Sequence, residues 1–132
     1  MCVNIMNLFG NNIDLARKSM QYLWGKQQIT LQNLANVDTP GYKSKYVTFE
    51  DEFRSRLKNA ALTRDDEKIA DVIKDSKFIV HNTEDESARL DENNVDADVE
   101  SVELSRATLQ YMYTAQAITS DIARLRSVIR GQ

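Results

Sequence analysis

Within its 132 residues the chain holds one cysteine (Cys2), one histidine (His81) and one proline (Pro40). A single cysteine excludes an intrachain disulfide, and one cysteine with one histidine cannot build a His/Cys metal site. His81 sits in a polar stretch without a nucleophile in a recognisable context, so it reads as an ordinary strand or surface residue rather than a general base. The four glycines stand far apart, which excludes a loop that cradles phosphate. Carboxylates are scattered, with no pair isolated in an apolar setting. Neither enzymatic activity nor a cofactor is expected.

Other absences bear on location and partners. No run approaches the roughly 18 apolar residues of a membrane span, so direct membrane insertion is not expected. The opening stretch MCVNIMNLFG has no Lys or Arg, and asparagine breaks its apolar residues, so no cleaved secretory signal is expected. Seventeen basic against twenty acidic residues leave a net charge of -3, which excludes a broad nucleic-acid footprint. DENNVDADVE, from Asp91, alternates oxygen-bearing side chains like a calcium loop. It fails that pattern because Val95, Asp96 and Val102 fall on the fifth, glycine and twelfth positions.

What the chain does have is helical periodicity at both ends. Ile13, Ala16, Met20, Leu23 and Leu34 form one apolar row, and Leu15, Tyr22 and Ile29 widen it. Asn11 is a candidate cap, Gly25 a weak point, and the helix is expected to stop near Ala35 with Asn36 in the left-handed conformation. Pro40 forbids continuation, and Thr39-Pro40-Gly41-Tyr42 has the order of a type II turn, proline first and glycine at the position of positive φ. At the other end Leu104, Thr108, Tyr111, Ala115, Ile118, Ile122, Leu125 and Ile129 alternate steps of four and three, the seam of a coiled coil. Asp96 is the expected cap of that helix. Acidic residues crowd its start, and Arg124, Arg126 and Arg130 its end, as the helix dipole favours.

The expected fold is mainly α, with the N- and C-terminal helices paired as an antiparallel coiled coil around a mixed, partly irregular central insert. Four segments follow: an amphipathic helix over 1–35, a Pro-Gly turn and connector over 36–48, a variable insert over 49–94, and a heptad helix over 95–132. Within the insert, FEDEFRSRLKNAAL and DDEKIADVI are predicted helical and KFIVHN is predicted to be a strand. The apolar rows are too long to leave in water, and a lone helix pair covers only part of each. The residues Ile13, Met20, Leu23, Leu34, Leu104, Tyr111, Ile118, Ile122, Leu125 and Ile129 are therefore the expected assembly stripe.

Two motifs carry a resemblance. LANVDTPGYKSK, with Asn33, Asn36, Asp38, Thr39, Pro40, Gly41 and Tyr42, and NNVDADVESVELSRATLQY, which opens on Asn93, Asn94, Val95 and Asp96, are similar to those of the bacterial flagellar axial proteins. The chain most closely resembles the proximal rod proteins of the basal body, of FlgB type, over residues of about 10 to 50 and 90 to 130. It departs in having Glu92 where the family commonly has glycine, and in a looser final helix. The resemblance implies a structural subunit of the rod in the periplasmic space, exported by the flagellar export apparatus without a cleaved signal peptide. Implied partners are other rod subunits, the membrane ring protein and the export-gate adaptor. From the apolar rows themselves, the terminal helices are expected to be poorly ordered before assembly and to pair on joining the rod, with the Pro-Gly turn setting the path of the chain between layers. Another rod paralogue, or a helical cytosolic adaptor or chaperone, is the alternative.

Overall fold

The computed structural model describes residues 5–49, 53, 55, 58–59, 66–83 and 90–131, with backbone alone for 5–10 and 66–67. The chain is mainly helical. Helix α1 spans Ile5–Ala35, strand β1 Lys45–Thr48, helix α2 Asp66–Asp75, strand β2 Ile79–Asn82 and helix α3 Ala97–Arg130. At a rise of 1.5 Å per residue the two long helices are about 46 and 51 Å in length.

α1 begins before Asn11, since tertiary packing along the helix outweighs one polar residue that could have capped it. Gly25 does not interrupt it. A Cβ there would meet the Phe78 ring at 3.4 Å, so the missing side chain lets the strand that follows α2 lie against the helix. Asn36 does not take the left-handed conformation: among the described residues the only non-glycine positive φ belongs to Glu92. The helix closes instead through tight turns, with the Asn36 amide bonded to the Asn33 carbonyl (3.0 Å) and the Val37 amide to that of Leu34 (3.3 Å).

β1 and β2 form a two-stranded antiparallel sheet that pairs Lys45 with Asn82, Tyr46 with His81, Val47 with Val80 and Thr48 with Ile79. The strand within KFIVHN and the helix within DDEKIADVI lie where the sequence put them. β1 was not anticipated, and it joins the connector to the insert across their expected boundary. His81 is a sheet residue, its Nε2 2.8 Å from the Thr48 hydroxyl and its ring stacked on Tyr46. Of FEDEFRSRLKNAAL only parts are described, helical at Phe53, Ser55, Lys58 and Asn59.

The core sits between the middle of α1 and the insert. Tyr22 and Leu23 of α1 meet Phe49, Phe53 and Ile73, with Leu15, Val47, Ile69, Val72 and Tyr111 around them. Tyr22, Phe49 and Phe53 stack successively, with ring centroids 5.1 and 4.7 Å apart. Lys18 ties α2 down by donating its ammonium to the carbonyls of Lys74 and Ser76 at that helix's C-terminal end (3.1 and 3.0 Å).

α1 and α3 lie side by side in opposite directions. Asn33 meets Glu100, Lys26 meets Glu103, and Met20 and Ile13 lie level with Tyr111 and Ile118. α3 starts on Asp96, whose carboxylate accepts the amides of Asp98 and Val99 (3.0 and 3.2 Å), with Asp98 and Glu100 in its first turn. Ala107 is its one fully buried residue, although among the described residues the seam of α1 with α3 is the most extensive contact between elements.

Candidate functional site

The motif residues converge where α1 ends, the connector leaves and the strand-free segment 90–96 arrives. Two asparagines, both all but inaccessible, organise the junction. The Asn33 amide donates to the Lys45 carbonyl and to the Glu100 carboxylate (2.7 Å each), while its oxygen accepts the Lys45 amide (2.9 Å) and the Tyr42 hydroxyl (3.4 Å). Both faces of the carboxamide are thus in use, against the backbone of β1 on one side and α3 on the other. Neither Asp nor Leu could supply donors and acceptors together.

Asn93 does the same for the helix end. Its amide lies 2.8, 2.9 and 2.9 Å from the carbonyls of Asn36, Val37 and Thr39, and its oxygen accepts the Val95 amide (2.8 Å). Two N–H groups thus bridge three carbonyls of the turn that follows α1, two of which, those of Asn36 and Thr39, also accept backbone amides. A residue 57 positions after Asn36 thus braces the turn that follows α1.

The Pro-Gly turn is built as its residues require. Gly41 has φ 71°, and the Tyr42 amide reaches the Thr39 carbonyl (3.2 Å). The Gly41 amide donates to the Asp91 carbonyl (2.7 Å), Lys43 to that of Glu92 (3.1 Å), and the Ser44 amide to the Asn94 side chain (2.7 Å). Turn motif and helix-leading motif are consequently one structure. Thr39 donates its hydroxyl to the Asn36 side chain (3.2 Å); Asp38 and Pro40 lie exposed at the rim, and Val95 is buried beneath.

Sequence reasoning did not single out Lys26, Glu100, Glu103 or Lys45 at this junction. Burial pushes the Glu100 carboxyl above its usual value, the hydrogen bond from Asn33 opposing. Tyr42 is also raised, first by burial and then by the Glu100 charge. Glu103 is lowered, chiefly by its 2.6 Å hydrogen bond from Lys26. The signal that could have found these residues is polar spacing on α3: Glu100, Glu103 and Ala107 precede Tyr111 at steps of three and four, continuing its face back to Asp96.

The ten stripe residues divide. Leu23 is buried, while Ile13, Met20, Leu34, Leu104, Tyr111, Ile118 and Leu125 are half-buried. Ile122 and Ile129 are exposed. Ile13, Met20, Tyr111 and Ile118 share a groove of about 530 Å³ with Trp24, Arg17 and Gln21. Among the described residues no group of three or more His, Cys, Asp or Glu could hold a metal ion, and no helix is long and apolar enough to cross a membrane. The junction holds α1, the connector and the start of α3 together.

No protein-family model matches the sequence. Three flagellar basal body rod proteins FlgB do resemble it. That of Borrelia hermsii is 38% identical over 68 residues, 48% of this chain and 50% of that protein. That of Borreliella burgdorferi is 32% identical over 54 residues, 41% of this chain and 40% of that protein. The FlgB of Bacillus subtilis is 30% identical over 129 residues, which take in 96% of this chain and 98% of that protein. A match of that extent runs through both asparagine motifs and the insert between them, and on it the chain belongs to the FlgB family of flagellar basal body rod proteins.

Proposed function

We propose that the chain is a structural subunit of the flagellar basal-body rod, polymerising through its two long helices into the proximal part of the drive shaft. The observation that carries the reading is the likeness to a FlgB rod protein over 98% of that protein's length. In this reading α1 and α3 act as one antiparallel coiled-coil unit, the strands and α2 form an outer insert, and the Pro-Gly turn fixes the path between them. The asparagine junction supports that role, since it binds the turn to the ends of both helices.

Neighbouring rod subunits, the membrane ring protein and the export-gate adaptor are the proposed partners. The subunit reaches the periplasmic space through the flagellar export apparatus without a cleaved signal peptide. Deleting the gene and imaging isolated basal bodies tests the reading: rings without a rod are expected, restored by the intact chain. Complete rods in the deletion strain, or a chain confined to the cytosol as an adaptor would be, would refute it.

A further inference from the structure

Residues 107–120 of α3, ATLQYMYTAQAITS, contain no Asp, Glu, Lys or Arg on any face. At 1.5 Å per residue they make an uncharged collar about 20 Å long. α1 covers one side of it, where Ala107 is buried and Tyr111 and Ile118 are half-buried. Elsewhere Leu109, Met112 and Tyr113 stand 68%, 62% and 77% exposed. At about 100° per residue, Leu109 and Tyr113 share one face, with Arg106 at its N-terminal border, turned roughly 160° from that of Ala107, Tyr111 and Ile118. A helix bordered by water on its outer side carries charge there. Absence of charge beside Tyr and Met is the composition of an interface core.

The three threonines of the collar agree. The hydroxyls of Thr108, Thr114 and Thr119 donate to the carbonyls of Leu104, Gln110 and Ala115 (2.8, 2.8 and 2.9 Å). Their donors are already satisfied within the helix, so covering them leaves no O–H unpaired.

The chain also carries a recess for such a ridge. Level with the collar, the groove of about 530 Å³ between α1 and α3 is lined by Met20, Trp24, Tyr111 and Ile118, with Trp24 58% exposed. Its one charged lining residue, Arg17, is paired with Asp14 at 3.2 Å. Ridge and groove do not overlap. A copy whose ridge is seated in a neighbour keeps its own groove open to a third, the condition for a heterologous contact that does not close.

We infer that the face formed by Leu109 and Tyr113, with Met112 on its flank, of one copy seats in the Trp24 and Tyr111 groove of a second copy of this chain. The inference rests on the reading of the chain as a polymerising rod subunit and names the surface by which it does so. Of the stripe expected from the sequence, Ile13, Met20, Tyr111 and Ile118 line that groove.

The test uses the full-length chain in a Cys2→Ser background. Tyr113→Cys and Trp24→Cys variants, purified separately, mixed and oxidised, should yield a disulfide-linked dimer that neither gives alone. Leu109→Lys and Tyr113→Lys should weaken self-association at least about tenfold in sedimentation velocity, whereas Val128→Lys, exposed but outside the collar, should not. A Tyr113→Cys variant that cross-links chiefly with itself overturns the inference, as does a Lys variant that associates like wild type. So does a wild-type chain that stays monomeric while both Lys variants swim normally. If the Lys variants build normal rods in a strain that needs this chain for its rod, the surface is wrong and the rod reading survives. If the rod forms without the chain, that reading fails first.

Discussion

Gly41 and Glu92 both hold left-handed backbone, at φ 71° and 61°, on two turns joined through the Asp91 carbonyl. Nothing lies within 4 Å of a Cβ placed on Gly41, so the cost of Gly41→Val is one of backbone alone, about 1–2 kcal/mol. At Glu92 the same strain is already present, since a residue with a side chain holds that conformation. Glu92→Gly relieves it while adding freedom to the unfolded chain, for a net gain of roughly 0.5 kcal/mol. Denaturant midpoints should thus move in opposite directions for the two variants. Glu100 adds a pH dependence of known sign. Its raised folded pKa means that protonation favours the fold, a contribution complete below the unfolded carboxylate pKa and lost as pH rises through the folded one. Glu100→Gln keeps an acceptor for Asn33 without the charge. It should raise the melting temperature at pH 7 and converge on wild type below the ordinary carboxylate range, despite Lys26, Glu103, Asp96 and Tyr42 nearby; a constant offset across pH would contradict this.

At the scale of elements, the end of α1 depends on a segment far along the chain. Asn93→Ala removes a buried side-chain donor from the carbonyls of Asn36, Val37 and Thr39 and the acceptor of the Val95 amide, and should cost about 2–4 kcal/mol in urea unfolding. Asn36→Ala, nearer the surface, should cost less than about 1 kcal/mol. Equal losses would mean that α1 ends on its own residues. The contrast shows what was legible in the sequence. The two long helices, the cap at Asp96, the type II turn and α2 follow from local periodicity and local backbone preference. β1 does not, because a four-residue strand gains its meaning from a partner more than thirty positions on. The motif asparagines were legible as residues of interest but not as a junction. A carboxamide has no periodicity, and nothing in the order of residues says that Asn93 meets Thr39 or that Asn33 meets Glu100.

For the molecule as a whole, burial is uneven in a way that fixes where it should be stable. The aromatic core joins α1 to β1, α2 and Phe53, whereas α3 has one fully buried residue, Ala107, with Leu104, Tyr111, Ile118 and Leu125 half-buried, and its last turns carry Val128 and Ile129 in the open. Local opening is cheapest where few apolar contacts must be broken. In amide hydrogen exchange on the isolated chain, protection should be greatest over residues 15–33 and 69–73, intermediate over 97–111, and least beyond Ile118, where the helix is held chiefly by its own ladder. Incorporation into an assembly should raise protection most across 107–120, the uncharged stretch that one α1 cannot cover. Uniform protection along α3 in the monomer would mean that its outer face is already sheltered, and the helix would then have no physical need of neighbours.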